Sequence, residues 1–206
     1  MDSIAVILLA AGSSRRMGEK NKLLLPYRGQ PMICHQVEQI ISAGMREQLI
    51  VVLGHQAAVV KSAVPEGITT IFNPYHAQGM TSSIQAGIQA VPSNASGYMI
   101  CLSDMPRLIT KDYQKISQFF LAQYQNDPAV IIQPVFYQLS EDSSVAKKKT
   151  GHPVVFSKFY KNELLAHKAP EGCRNIIRTY REQVKQVEME SAILWDVDTA
   201  EDWLKA

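Results

Sequence analysis

The residues near the start of the chain have the types and spacing that binding a polyphosphate requires. An apolar run from Ile4 ends in the small residues Ala10-Ala11-Gly12-Ser13-Ser14, which leave backbone N–H groups uncovered. Such groups can turn together toward an anion, and nearby cations would neutralise it. The pattern predicts a nucleotide-binding turn, although a buried edge strand followed by a solvated basic loop would have a similar sequence. The cationic residues in the eight positions after Ser14 are Arg15, Arg16, Lys20 and Lys22.

This turn differs from the two best-known phosphate loops. Five residues separate Gly12 from Gly18, and neither Lys-Ser nor Lys-Thr follows, so the Walker A pattern is absent. The GxGxxG fingerprint of dinucleotide-binding domains is also absent. The sequence therefore contains neither the motif that indicates an ATPase nor the one that indicates a dinucleotide-dependent dehydrogenase.

Two aspartates are candidates for holding a divalent cation beside a polyphosphate. Asp104 directly follows a predicted buried strand in Leu102-Ser103-Asp104-Met105-Pro106, and Asp198 belongs to the alternating carboxylates of Trp195-Asp196-Val197-Asp198-Thr199. Mg²⁺ takes one or two protein carboxylates, with phosphate oxygens and waters completing its shell. Asp104 and Asp198 would be a sufficient pair if folding brought them together, although Asp198 could equally cap the short helix that follows.

Two further segments carry candidate binding residues. Asn73 follows a predicted strand, and Gly79 then precedes Thr81-Ser82-Ser83, whose small side chains could lie against a base or a ribose. A plain helix N-cap would explain these serines equally well. Gly151-His152-Pro153 places an imidazole where glycine and proline fix the backbone. A lone histidine of this kind can be structural or catalytic.

The elements that must position these residues alternate between strands and helices. Continuous apolar runs predict buried strands, amphipathic stretches between them predict helices, and this alternation is typical of a largely parallel sheet. In such sheets ligands bind beyond the carboxyl ends of the strands, so the turns after Leu9 and after Leu102 are expected at one site. The predicted strands are Ile4–Leu9, Leu49–Leu53, Thr69–Phe72, Tyr98–Leu102 and Val130–Val135, and the predicted helices are the segment from Pro31 to Gly44, Gln56–Val64, Met80–Ala90 and Thr110–Tyr124.

The segment from Tyr137 to Thr150 is polar and has no periodicity, which predicts a mobile surface loop. It ends in the three consecutive lysines Lys147, Lys148 and Lys149. These lysines either form a solvated charged surface or help to gather an anionic second substrate.

Composition sets the broad class. The chain has 206 residues, of which 46% are hydrophobic and 19% charged, so one α/β domain over residues 1–206 is expected. A net charge of +2 and the lack of any apolar stretch near roughly 18 residues predict neither a nucleic-acid nor a membrane partner. The three cysteines fit no disulfide or zinc spacing, and no signal peptide pattern occurs, which predicts a cytoplasmic protein. The cysteines are Cys34, Cys101 and Cys173.

Taken together, these segments resemble the MobA-like nucleotidyltransferase family. The specific match is LLAAGSSRRMGEKNKLLLPYRGQPMI, and in the family's order there follow NPYHAQGMTSSIQAGI, LSDMP, GHPVVF and DVDTAED. The Ala-Ala-Gly version of the loop is closest to the molybdenum cofactor cytidylyltransferase branch. The resemblance implies a Rossmann-like three-layer domain of nucleotidyltransferase (GT-A-like) architecture, with CTP rather than GTP as the nucleotide.

The resemblance also implies a role for each motif residue. Arg16 and Lys22 would contact the triphosphate, and with Asp104 they would be the catalytic residues. Asp104 and Asp198 would bind Mg²⁺. Gly151 and His152 would face the acceptor. The implied nucleotide-binding residues are Leu9, Ala10, Ala11, Gly12, Ser13, Arg16, Lys22, Asn73, Gly79 and Ser83.

The implied reaction is transfer of CMP to the terminal phosphate of molybdopterin. An acceptor phosphate attacks the α-phosphorus of CTP and pyrophosphate leaves, and since a phosphate monoester has a second pKa of about 6, the dianion needs no protein nucleophile. The resemblance also implies a client molybdoenzyme or its chaperone as a further partner. Two alternatives stay open: a cytidylyltransferase for another sugar or polyol phosphate, and a non-catalytic protein that delivers cofactor to a molybdoenzyme.

Overall fold

A central β-sheet organises the molecule in the computed structural model, which describes residues 2–14, 21–139 and 146–205. Most of its strands are runs of apolar residues, as a sheet covered on both faces requires. The strands of the described residues are β1 (Ile4–Ala10), β2 (Pro26–Tyr27), β3 (Gln30–Pro31), β4 (Leu49–Leu53), β5 (Thr69–Phe72), β6 (Gly97–Leu102), β7 (Ile131–Leu139), β8 (Ala146–Thr150), β9 (Val154–Ser157) and β10 (Val184–Glu188).

The large sheet has the strand order β10-β7-β9-β6-β1-β4-β5, while β8 pairs with β7 and β2 pairs separately with β3. Strands β6, β1, β4 and β5 are mutually parallel, and β10 is parallel to β7. Strand β9 is antiparallel to both of its neighbours, β6 and β7, so β7 runs in the same direction as β6. The predicted α/β fold with a mostly parallel sheet is confirmed, with β9 as an antiparallel insertion.

Helices cover both faces of this sheet and give three layers. Helices α1, α2 and α4 pack on one face, and α3, α5 and α6 on the other. No helix in the described part of the chain is long and apolar enough to cross a bilayer. The helices are α1 (Met32–Ser42), α2 (Ala57–Ser62), α3 (Met80–Ala90), α4 (Thr110–Tyr124), α5 (Lys161–Ala166), α6 (Arg174–Thr179) and α7 (Ala200–Lys205).

Strand β1 lies at the centre of this arrangement and explains the apolar opening of the sequence. All seven of its residues are buried, and successive side chains point into opposite layers. Val6 and Leu8 pack with the α1 layer, whereas Ile7 and Leu9 pack with the α3 layer. The strand can therefore present its carboxyl end, rather than a row of side chains, to a ligand.

The predicted loop over residues 137–150 is wrong for the residues that the structure describes. Strand β7 continues to Leu139 and pairs antiparallel with β8, so two paired strands lie where an irregular segment was expected. All five β8 side chains are exposed, and the strand forms through backbone pairing rather than burial. The alternation of buried and exposed side chains that indicates many strands is therefore absent from β8. Of its three lysines, Lys148 contacts β10, because its Nζ donates to Gln186 Oε1 at 3.2 Å.

Candidate active site

A cleft of about 1180 Å³ opens at the carboxyl ends of the parallel strands β1, β4 and β6. The turns after these strands supply its floor, which is where ligands bind in open α/β sheets. Residues 191–198 return to the same edge, because the Val197 N–H donates to the Asp104 carbonyl at 2.8 Å. The cleft thus combines chain segments more than 170 residues apart, as Lys22 and Asp198 are separated by 176 positions.

The glycine turn after β1 is held in place by its neighbours and leaves Gly12 facing open space. Ser103 donates to the Leu9 carbonyl through its N–H (3.3 Å) and its hydroxyl (2.6 Å), which ties the end of β6 to β1. The His55 N–H donates to the Ala11 carbonyl at 3.2 Å. Apart from the two residues adjacent to Gly12, no atom of the described part of the chain lies within 4 Å of the position that a Cβ on Gly12 would take. The backbone of the turn is therefore open to close approach by a ligand.

The predicted residues of this turn fall into three groups. Leu9, Ala11, Gly12 and Ser13 line the cleft, whereas Ala10 is buried in the α1 layer and points away from it. Arg16 lies outside the described residues. The turn itself is fixed at its far end, since the Lys22 N–H donates to Ser14 Oγ at 3.3 Å.

Gly54, which follows β4, packs tightly against Ala11 and His76, and this contact was not predicted from the sequence. A Cβ at this position would lie 2.6 Å from His76 Cβ and 2.7 Å from both Ala11 Cβ and the Ala11 carbonyl oxygen. We expect Gly54→Ala to lower the free energy of unfolding by about 1–3 kcal/mol, because backbone atoms of the turn must shift. Urea unfolding measures this change.

The matched control is Gly12→Ala, since the described residues leave space for a Cβ at that position. Its free energy of unfolding should stay within about 0.5 kcal/mol of the unmodified protein. Equal destabilisation by the two substitutions would contradict the packing role of Gly54.

Lys22 joins the two predicted metal carboxylates. Its Nζ lies 2.6 Å from Asp104 Oδ2 and 3.0 Å from Asp198 Oδ1. The three side chains are 12%, 20% and 26% exposed, respectively, so solvent screens these contacts only in part. Burial alone would lower the pKa of Lys22, but the charges and hydrogen bonds of the two aspartates outweigh it and raise the pKa. The ammonium is therefore charged throughout the neutral range.

A third carboxylate, Asp196, lines the same cleft. Burial raises its pKa, and the negative charges of Asp198 and Asp104 act in the same direction. Among the described cleft residues, Asp104, Asp196 and Asp198 carry carboxylates, and the Lys22 ammonium contacts two of them. The alternating acidic pattern around Val197 was the signal that could have added Asp196 to the predicted pair.

The donor set suits a hard divalent cation. Asp104 Oδ1 is shielded from solvent and has no hydrogen-bond partner among the described residues. A buried carboxylate oxygen without a donor is costly unless a cation satisfies it, and carboxylate oxygens are preferred Mg²⁺ and Mn²⁺ ligands. The described residues contain no group of three or more His, Cys, Asp or Glu side chains arranged to enclose a metal. These residues therefore fit a cation that shares its ligands with phosphate and water.

The helix α3 side of the cleft contains two of its three predicted residues. Gly79 and Ser83 line the cleft, whereas Asn73 is 1% exposed and does not. The Asn73 amide donates to Ser82 Oγ (2.9 Å) and Ser83 Oγ (3.0 Å), and its oxygen accepts from the Tyr75 N–H (2.9 Å). Asn73 thus fixes the start of α3 and acts on the cleft through Ser83.

Gly151 and His152 lie beside the cleft without lining it. The Gly151 N–H donates to the Pro134 carbonyl and the His152 N–H to the Ile193 carbonyl, both at 3.1 Å. A Cβ on Gly151 would collide with the Ile193 carbonyl. These contacts fix the segment that leads to Asp196 and Asp198.

The imidazole of His152 is expected to make stability depend on pH. Burial is the main cause of its lowered pKa and Arg174 adds to it, although Asp104 and a hydrogen bond to the Ile100 backbone oppose them. As the pH falls through about 6.5, the unfolded chain takes up a proton that the folded chain resists, so the free energy of unfolding should decrease. His152→Gln should reduce this slope between pH 7 and pH 5, as measured by urea unfolding at each pH. An unchanged slope would contradict the assignment.

Several cleft residues were not predicted. His55 and Gln56 follow β4, and His76 and Ala77 precede α3. The strand-end rule that selected the turns after β1 and β6 also applies to β4 and would have found the first two. The His55 and His76 rings lie 6.5 Å apart on this wall of the cleft.

Comparison with known protein families gives one match across most of the chain. Residues 6–186 match the model of the MobA-like NTP transferase domain. The molybdenum cofactor cytidylyltransferase of Escherichia coli (strain K12) is 27% identical over the whole of this chain and 96% of its own length. The nicotine blue oxidoreductase of Paenarthrobacter nicotinovorans is 34% identical over half of this chain, and the matching region spans only half the length of that relative.

The fold is also similar to solved structures. The Rv0371c protein of Mycobacterium tuberculosis H37Rv has a TM-score of 0.78 and 25% identity, covering 99% of this chain and 97% of that one. A second structure of that protein is a complex with manganese, with a TM-score of 0.75, 24% identity, and 98% and 97% coverage. The architecture assigned above therefore extends over nearly the full length of a known fold.

Proposed function

The chain belongs to the MobA-like NTP transferase family, and from this premise we propose that it transfers CMP from CTP to the terminal phosphate of molybdopterin. An oxygen of the acceptor phosphate forms a bond to the α-phosphorus of CTP. The bond from that phosphorus to the bridging β-phosphate oxygen breaks, and pyrophosphate leaves with the electron pair. The products are a cytosine dinucleotide form of the cofactor and pyrophosphate.

One observation carries this proposal: Lys22, Asp104 and Asp198 meet at the open glycine turn. The turn offers backbone N–H groups to an anion, and Lys22 offers a cation. No protein nucleophile is required, because the acceptor is already a phosphate dianion near neutral pH. The protein contributes positioning and charge neutralisation, which are the main terms in phosphoryl-type transfer.

Mg²⁺ is the proposed metal, held by Asp104 and Asp198 with Asp196 close by. When bound, it would polarise the phosphate oxygens and neutralise charge that builds on the leaving pyrophosphate. Asp104 Oδ1, which has no hydrogen-bond partner among the described residues, and the three carboxylates that line the cleft support a dication in this position. The manganese complex of the Rv0371c protein supports a divalent metal more generally.

The nucleotide and the acceptor are supported by the sequence and by the full-length relative. Ala11 gives the loop its Ala-Ala-Gly form, and the relative of full length is a molybdenum cofactor cytidylyltransferase. We further propose that Arg16 contacts the triphosphate and that the protein acts in the cytoplasm. Cys34, Cys101 and Cys173 all carry free thiols, in line with a reducing compartment.

A pyrophosphate-release assay tests the proposal directly. The purified protein is mixed with Mg²⁺, one of CTP, GTP, ATP or UTP, and one of molybdopterin, a sugar phosphate or a polyol phosphate. We expect release with CTP and molybdopterin, and little release with other pairs. Preference for a sugar or polyol phosphate would contradict the cofactor assignment. Tight CTP binding without release for any acceptor would instead indicate a delivery protein.

A further inference from the structure

We propose that Lys22 serves as an internal counter-cation, whose ammonium occupies the space between Asp104 and Asp198 until a divalent metal displaces it. The released ammonium then pairs with the triphosphate that enters with the metal. This inference rests on the proposed function only in assigning a metal to these carboxylates. It adds a second role for Lys22, which is to make binding of metal and of triphosphate depend on each other.

The geometry shows that the ammonium takes a cation's place. Lys22 Nζ contacts one oxygen of each carboxylate, at 2.6 Å and 3.0 Å, while Asp104 Oδ1 has no partner among the described residues. The ammonium has three donors in tetrahedral directions, so it bridges the two aspartates without satisfying every carboxylate oxygen. A metal with several oxygen ligands would satisfy more of them.

The backbone of Lys22 is fixed, whereas its side chain can move. Its N–H donates to Ser14 Oγ at 3.3 Å, and the next residue, Leu23, is 2% exposed and donates its N–H to Asn21 Oδ1 at 3.1 Å. The four-carbon side chain is flexible and ends in a point charge. The ammonium can therefore turn from the carboxylates toward the cleft while the turn stays in place.

The charges explain why this exchange would couple the two ligands. Asp104 and Asp198 both contact the Lys22 ammonium, and Asp196 lines the same cleft. A metal that arrives alone must displace the ammonium and leave it unpaired in a partly buried position, which opposes binding. A metal that arrives with a triphosphate provides the ammonium with a new anionic partner. Metal alone should bind weakly, and metal with nucleotide should bind strongly.

Mn²⁺ binding in the absence of nucleotide tests the competition. Calorimetric titration is performed on the unmodified protein, on Lys22→Met and on Lys61→Met, whose lysine is exposed on α2 outside the cleft. We expect Lys22→Met to bind Mn²⁺ at least about tenfold more tightly, since a positive charge beside the dication has been removed. Lys61→Met should bind as the unmodified protein does. Unchanged or weaker binding by Lys22→Met would overturn the proposal, because a purely structural tether would loosen the carboxylates when removed.

A measurement on the unmodified protein covers the case in which Lys22→Met does not fold. Reductive methylation of lysines, followed by mass spectrometry, reports how readily the Lys22 amine reacts. Addition of Mn²⁺ alone should accelerate methylation of Lys22, because the displaced amine loses the two aspartates that hold its proton and shield it. Lys61 should react at the same rate with and without Mn²⁺. An unchanged Lys22 rate at a Mn²⁺ concentration that saturates the site would overturn the proposal.

Neither measurement contains a nucleotide or an acceptor. Failure of the counter-cation proposal would therefore leave the pyrophosphate-release result unaffected. Conversely, a protein that binds Mn²⁺ as expected but releases no pyrophosphate would keep the counter-cation and lose the proposed function.

Discussion

Replacement of Asp104 by asparagine is expected to lower kcat for pyrophosphate release by about 10²–10³, the usual effect of losing one electrostatic group at a reacting phosphate. The substitution keeps the size of the side chain and removes its charge. The backbone contact that joins this position to the C-terminal segment runs from the Val197 N–H to the Asp104 carbonyl, and the substitution leaves it intact. The variant should therefore stay folded, with a lower kcat, and any decrease in melting temperature should reflect only the lost ion pair with Lys22. Steady-state kinetics and a thermal melt measure the two quantities.

Asp127→Asn is the matched control for this prediction. Asp127 lies in the turn before β7, outside the cleft, where its Oδ1 accepts from the Ala129 N–H at 2.9 Å. Asparagine can keep that hydrogen bond, so kcat should stay near its original value. If Asp104→Asn retained normal turnover, Asp104 would have no part in the chemistry.

The inner strands and most long helices could be predicted from the sequence because their signals are local. Strands β4 and β5 and helices α3 and α4 have the predicted bounds, and the helix between Pro31 and Gly44 is observed as α1. Each is specified by an apolar run or by a helical repeat within its own residues. Burial on one or both faces then reinforces the local preference.

The elements that escaped prediction depend on pairing with distant partners. Strand β8 carries three exposed lysines and forms only because β7 pairs with it. Strand β9 has four residues and inserts between β6 and β7, and β10 mixes exposed and buried positions along β7. Such strands have no period of their own that distinguishes them from loops. These strands form because neighbouring strands of the sheet pair with them, and their own residues do not specify them.

The candidate site was predictable to the extent that it follows strand ends. The parallel β1 and β6 place the glycine turn and Asp104 side by side, as the sequence predicts for strand ends in one sheet. The approach of Asp198 is different, because it depends on a backbone hydrogen bond between Val197 and Asp104. Asn73 shows the opposite case: a polar residue at a strand end whose hydrogen bonds are all used within the protein.

Replacement of Lys22 by alanine is expected to lower kcat by about 10²–10³ at saturating Mg²⁺ and CTP. In the proposed mechanism the ammonium stabilises charge on the departing pyrophosphate, and the truncated side chain cannot reach it. If Lys22 is also the internal counter-cation, the same variant should bind Mn²⁺ more tightly while it turns over more slowly. Kinetics and metal titration on one preparation separate these two effects. Lys61→Ala, on the exposed surface of α2, should change neither.

The double variant Lys22→Ala/Asp104→Asn distinguishes a shared network from two independent contributions. Lys22 and Asp104 are in direct contact at 2.6 Å, and residues in contact do not contribute additively. We therefore expect the double variant to lose less kcat/KM than the product of the two single losses, because kcat/KM is referenced to the free enzyme, in which the two side chains are in contact. Full multiplication of the two losses would show that Lys22 acts on the phosphates alone, and that its contact with Asp104 has no consequence for turnover.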